Sequence, residues 1–198
     1  MNYQRLYDRM APIYVPIIRL LPMWLQYVRP VLPWLDHKQA VLEIGPGPGM
    51  LHEQLARNHK FTVGLDLSLG MLRRARQRLL RQDLPPRLIQ GNAMVLPFAD
   101  DTFDAIVLTF VFSAIPDGAV ALREMQRVLC PNGVLALVDA CIPENDDLIA
   151  RGLSQVWALF GDVLRDEVSL MRTVGLNVIE RKEYGAFHSV RLTVARKM

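Results

Sequence analysis

Cysteine is scarce in this chain of 198 residues, with only Cys130 and Cys141, and their spacing matches no metal-ligand pattern. A disulfide framework and a thiolate metal centre are therefore not expected, no metal ligands are assigned, and a reduced cytoplasmic setting fits best. Long apolar runs are also missing. A membrane span needs about 20 uninterrupted, mostly apolar residues; the densest stretch, Ile17 to Val28, is interrupted by Arg19 and Pro22. The N-terminus carries no secretory apolar region with a cleavage site, and there is no internal repeat or low-complexity tract.

What is present is ordinary for a globular protein, with 51% hydrophobic and 22% charged residues. A chain of this length is the size of one domain and buries roughly 70% of its extended surface on folding, so it needs no staple. The net charge of +3 is mild but uneven, because Arg73, Arg74, Arg76, Arg78 and Arg81 fall in one expected helix. Leu72, Ala75, Leu79 and Leu80 supply that helix's inward stripe, so the arginines read first as a solvated outer face. Attraction for phosphate, on nucleic acid or an anionic membrane, is the second reading.

The informative segment is Val41-Leu42-Glu43-Ile44-Gly45-Pro46-Gly47-Pro48-Gly49, an apolar strand running into three alternating glycines. An apolar run ending in Leu65-Asp66 follows about twenty residues later, where an acidic residue can take ribose hydroxyls. A dinucleotide fingerprint requires G-x-G-x-x-G, and the third position holds Met50 or His52 in the two registers. The dinucleotide pattern fails in both registers, and the ligand expected is a nucleoside.

The pattern E-x-G-x-G-x-G followed by an acidic residue resembles motif I of the class I S-adenosylmethionine-dependent methyltransferases. Further blocks resemble that family in its order: Gly64-Leu65-Asp66-Leu67-Ser68, Gln90-Gly91-Asn92-Ala93, Leu96-Pro97-Phe98, Phe103-Asp104-Ala105-Ile106-Val107, and Glu124 with Arg127-Val128-Leu129, Pro131 and Gly133. The nearest flavour is the branch of ubiquinone and menaquinone C-methyltransferases and bacterial phospholipid N-methyltransferases, which Tyr7-Asp8-Arg9-Met10-Ala11-Pro12-Ile13-Tyr14 also resembles.

The resemblance implies an α/β, Rossmann-like, doubly wound sheet of seven strands, mostly parallel with the last strand antiparallel, and helices on both faces. Strands are expected at 40–44, 62–66, 88–91, 105–109, 133–140, 176–184 and 189–197, and helices at 50–58, 69–82, 118–129, 148–159 and 167–173. Ser68 and Asp117 are the expected helix caps. Residues 1–37 are expected to form a helical lid or cap and 38–198 the cofactor-binding domain; the first segment could also lie at a membrane interface.

For the site, the resemblance places Gly45, Gly47 and Gly49 against the methionine part of S-adenosylmethionine, with Glu43 ordering that loop. Asp66 would hold the ribose, Leu67 would cover one adenine face, and Asn92 and the Ala93 amide would read the adenine. Thr109 and Phe110 would meet the methionine and the incoming acceptor, with Tyr7, Tyr14, Tyr184 and His188 as further acceptor-side candidates. Pro46 and Pro48 remove two amide donors from the loop, so loop contacts are expected from the glycine and Met50 amides.

The implied activity is methyl transfer to a small apolar or lipid-like acceptor, of the quinone-precursor or ethanolamine-phospholipid class, leaving S-adenosylhomocysteine. No catalytic base stands out. The alternatives are RNA methylation, suggested by the arginine helix, and a non-catalytic cofactor-binding partner subunit; nucleic acid is the less expected ligand. The sequence carries no signal for oligomeric state.

Overall fold

The computed structural model describes residues 23–58, 61–141, 165–185 and 189–198, with side chains from residue 26 onward. The expected helix over 148–159 and most of the expected N-terminal cap lie outside these residues.

The strands are β1 (Ala40–Ile44), β2 (Phe61–Asp66), β3 (Leu88–Gln90), β4 (Phe103–Thr109), β5 (Leu129–Ala140), β6 (Leu176–Tyr184) and β7 (Val190–Lys197). They form one sheet in the order β3-β2-β1-β4-β5-β7-β6. Pairings from β3 across to β5 are parallel, while β7 runs antiparallel to both β5 and β6. The expected seven-stranded architecture is the one observed.

Apolar residues on successive strand positions show why this sheet is covered on both sides. Ala105, Ile106, Val107 and Leu108 of β4 are all fully buried, as a central parallel strand demands. On one face, Val41, Val107 and Val138 pack with Leu51 and Leu55 of α2 (Met50–Asn58) and with Val31 and Leu35. Val31 belongs to an N-terminal run comprising α1 (Met23–Val28) and a 3-10 turn at Arg29–Trp34, and Leu35 directly follows that turn. On the other face, Leu42, Ile106 and Leu137 pack with Leu122 and Met125 of α4 (Gly118–Val128) and Met171 of α5 (Glu167–Thr173).

Helix α3 (Leu69–Leu80) starts at Ser68, whose hydroxyl accepts the Met71 N–H, and α4 starts at Asp117, whose carboxylate accepts the Val120 N–H. The buried stripe of α3 is narrower than the sequence suggests. Met71, Leu72, Ala75 and Leu79 face inward, but Leu80 is 46% exposed. Arg78 is drawn to Glu53 of α2 at 3.0 Å, while Arg73, Arg76 and Arg81 stand exposed.

The loop between β3 and β4 is held by ion pairs, with Arg127 bonding Asp100 at 2.7 Å as well as Glu124, and Lys197 bonding Asp101 at 2.7 Å. Arg127 donates Nε and Nη2 to the two carboxylate oxygens of Glu124, each at 2.8 Å, and Nη1 to the Phe98 carbonyl at 2.8 Å. Glu124 in turn accepts the Leu96 amide at 2.8 Å. The bond from Arg127 holds the Glu124 carboxyl below its ordinary range, against the opposing effect of burial. A depressed carboxyl contributes stability that is full above its unfolded value and is lost as pH falls through its folded value. Glu124→Gln is therefore expected to lower unfolding free energy near neutral pH by about 1 to 2 kcal/mol. The gap from wild type narrows in acid; urea unfolding at both pH values measures it.

Candidate active site

Parallel order reverses between β1 and β4, and the crevice beyond the carboxyl ends of such neighbours is where an open α/β sheet receives ligands. Gly45 to Gly49 leave β1 on one side of this crevice, and Thr109 and Phe110 end β4 on the other.

All three glycines adopt left-handed backbone, with φ of 69°, 53° and 83°. Their environments differ. A Cβ on Gly45 would come within 2.6 Å of Val111, and one on Gly49 within 2.9 Å of the Ala75 backbone in α3. A Cβ on Gly47 meets nothing within 4 Å, so the loop tip borders open space where a ligand can approach.

The loop amides are used differently from expectation. Gly45 N–H donates to Leu65 O at 2.8 Å, Gly47 N–H to Asp66 Oδ2 at 3.0 Å, and Gly49 N–H to Pro46 O at 2.9 Å. With the two prolines lacking N–H groups, the glycine donors are all engaged within the protein. The bond from Gly47 ties the loop to the expected ribose acid, whose other oxygen accepts the Ser68 N–H at 2.9 Å.

Glu43 reaches the far side of the loop. It is buried with its Oε2 2.8 Å from His52 Nδ1 in α2, so it meets the helix after the loop rather than the loop amides. Leu67 is 39% exposed beside Asp66, at the rim of the crevice, and Ala93 is buried. Asn92 is exposed, and its side-chain oxygen accepts the Met94 N–H at 2.9 Å. That oxygen, expected to meet adenine, already closes a local turn.

On the β4 side, Thr109 is buried and Phe110 takes a φ of 54°, rare for a bulky residue. Its amide donates to Val138 O at 2.8 Å, and its ring packs with the cluster containing Val107 rather than the one containing Leu108. There it meets the Tyr27 ring edge to face at 6.4 Å. Tyr27 also lies 6.4 Å from the Tyr184 ring, and the Tyr184 hydroxyl donates to the Tyr27 carbonyl. Burial pushes the Tyr184 phenol above its ordinary value, so it stays protonated near neutral pH.

Phe110 and Tyr184 are thus brought together, whereas Tyr7, Tyr14 and His188 lie outside the described residues. Tyr27 and His52 were missed as candidates. Nothing in the dense apolar stretch around Tyr27 marks it in sequence.

The turn after β4, Phe112–Ala114, is pinned by Asp139, whose carboxylate accepts the Ser113 amide at 2.8 Å and its hydroxyl at 3.0 Å. Asp139 could have been noticed as the acidic residue closing an otherwise apolar run. Beside it, burial pushes the Cys141 thiol up to about 12, which leaves it a poor nucleophile. Among the described residues no cluster of three metal-binding side chains occurs, and no helix is long and apolar enough to cross a membrane.

Residues 42–137 match the methyltransferase domain family. The 2-phytyl-1,4-naphtoquinone methyltransferase of Thermosynechococcus vestitus is 35% identical over 156 residues, covering 74% of this chain and 68% of that protein. A demethylmenaquinone methyltransferase of Corynebacterium urealyticum is 39% identical over 103 residues, or 52% of this chain; the chain spans only 42% of that relative's length. In fold, an S-adenosylmethionine-dependent methyltransferase from Thermotoga maritima, described as a possible histamine N-methyltransferase, superposes with a TM-score of 0.79 at 20% identity, covering 98% of this chain and 100% of that one. The glycine loop, the acid after β2, the sheet order and these similarities agree, and the chain belongs to the class I S-adenosylmethionine-dependent methyltransferases, in the branch that holds the quinone-ring methyltransferases.

Proposed function

We propose that this protein transfers a methyl group from S-adenosylmethionine to a small, apolar acceptor with a planar ring, of the quinone-precursor class. The carrying observation is the Tyr27, Phe110 and Tyr184 cluster at the carboxyl end of β4, where the next residue, Val111, faces Gly45, together with the quinone methyltransferases among the relatives. Tyr27 meets Phe110 edge to face and Tyr184 at a tilt, and contact of a flat acceptor ring with such a cluster would be worth about 0.5 to 1.5 kcal/mol per pair beyond burial. An ethanolamine headgroup gains less from such walls.

The bound cofactor supplies an electrophilic methyl on a sulfonium, which leaves as a neutral thioether. The protein's share is positioning. Asp66 would hold the ribose hydroxyls while its bonds to Gly47 and Ser68 keep the carboxylate in place. Gly47 leaves room for the ligand, and Leu67 would cover the adenine from the crevice rim. Asn92 is suited to approach the base through its amide N–H groups, since its oxygen serves the turn. Phe110, held above β5 by the bond to Val138, would place the acceptor ring in line with the methyl. Holding two reactants in such a near-attack geometry is worth an effective molarity on the order of 10⁵ M or more.

Tyr184 is a wall rather than a base, because burial keeps its phenol protonated. A hydroquinone ring carries its own activation: the hydroxyl pushes electron density to the ring carbon that attacks. The ring proton lost afterwards can pass to water. Membrane contact by residues 1–37 would bring a lipid-tailed acceptor near; flotation with vesicles containing such an acceptor tests it.

Two measurements check this reading. Calorimetric titration with S-adenosylhomocysteine is expected to show binding, weakened about tenfold in Asp66→Ala, on the order of 1.4 kcal/mol; no binding by folded wild type would refute the cofactor assignment. Transfer of labelled methyl to a naphthohydroquinone, with an ethanolamine phospholipid for comparison, tests the acceptor. Phe110→Ala is expected to raise the acceptor KM about tenfold while leaving S-adenosylhomocysteine affinity within about twofold. Labelling of the phospholipid alone would overturn the ring-acceptor assignment.

A further inference from the structure

We propose that His52, acting through Glu43, is a positioning residue that sets the shape of the cofactor loop; this rests on the cofactor reading above. Glu43 stands two residues before Gly45, and His52 three residues after Gly49. The hydrogen bond between them joins the strand that enters the loop to the helix that leaves it. Both side chains are almost wholly buried, 1% and 0% exposed, so the bond is made away from competing water.

Its geometry is prepared by a third residue. Gly64 of β2 is the register partner of Glu43 in β1. A Cβ at Gly64 would lie 3.0 Å from His52 Cε1 and 3.1 Å from Nδ1, so the imidazole rests on the rung that Gly64 leaves bare. A carboxylate only accepts hydrogen bonds, which assigns the Nδ1–H as donor. Nε2 has no hydrogen-bond partner among the described residues. A buried polar atom left unsatisfied is uncommon and carries a free-energy cost.

The consequence reaches the ligand through the loop. The glycine amides are engaged locally, and the outward restraint on the tip is the bond from Gly47 to Asp66. If the start of α2 shifts against β1, the loop ends separate differently and the Gly47 bond to Asp66 lengthens. Glu43 and His52 are thus coupled to the ribose carboxylate without touching the ligand.

The test measures S-adenosylhomocysteine affinity and amide hydrogen exchange at Gly47 in the full chain. His52→Leu is expected to raise the dissociation constant about tenfold and to speed Gly47 exchange. His52→Asn, whose amide N–H can take the place of Nδ1–H, is expected to recover most of the loss. The double variant with Glu43→Leu should be no worse than either single one, because both remove the same bond. A role confined to stability predicts otherwise: a lower melting temperature with affinity and Gly47 exchange unchanged in the folded protein, and that result overturns the proposal. So do single effects that multiply in the double variant.

If His52→Leu does not fold, Gly64→Ala, made together with Leu88→Ala to remove the Leu88 Cδ2 that its methyl would otherwise meet at 2.8 Å, keeps both partners and pushes on the ring. It is expected to raise the dissociation constant several-fold, and wild-type affinity with wild-type Gly47 exchange there also overturns the proposal. If folded wild type binds no S-adenosylhomocysteine, the cofactor reading fails, and faster or unchanged Gly47 exchange in the variants still decides for or against the clamp.

Discussion

The parallel register of β1 with β2 and β4 is the constraint on which the candidate site depends. Ile44 stands opposite Leu65 on one side and Leu108 on the other, so three strand tips reach the crevice abreast. The alternation of buried side chains fixes that register. Slipping β1 by one residue would turn Val41 and Leu42 to opposite layers and carry Glu43 away from His52. Correct pairing in the core is therefore also correct spacing between the glycine loop and Asp66.

Where the chain's chemistry is local, it was legible from sequence. Strand β1, helix α2, strand β6 and helix α5 begin and end where their apolar periodicity does, and both expected helix caps bond as side chains of that type do. The differences come from tertiary contact. Strand β5 extends back to Leu129 because Leu129 pairs with Phe103 ahead of a register shift, which apolar patterning alone does not encode. Leu80 continues the helical pattern of α3, yet nothing packs over its end of the helix enough to cover it.

The site divides along the same line. Glycines and an acid at fixed spacing announce a loop and its carboxylate, because those residue types answer backbone needs. The identity of each hydrogen-bond partner was not legible. His52 meets Glu43 only because one turn of α2 returns over β1, and Tyr27 meets Phe110 only because the N-terminal run crosses the sheet face on which β4 ends. Such partners are decided by the way distant segments stack. A similar case is Arg191 of β7, which is buried with Glu167 at 3.2 Å and also bonds Glu183, so the far end of the sheet is closed by an ion cluster between segments well apart in sequence.

The inward turn of the loop amides has an electrostatic consequence. Loops that seat phosphate do so by presenting bare N–H groups, a ring of partial positive charge. Here Pro46 and Pro48 have none, and Gly45, Gly47 and Gly49 give theirs to Leu65, Asp66 and Pro46. The one of these acceptors that carries a charge is the carboxylate of Asp66. The glycine turn therefore offers a pyrophosphate no free donor of its own, and the backbone N–H groups nearest to it are those of the first turn of α2, which a helix leaves without internal partners. In this chain the mismatch with a dinucleotide lies in the direction the glycine N–H groups face as much as in the missing third glycine.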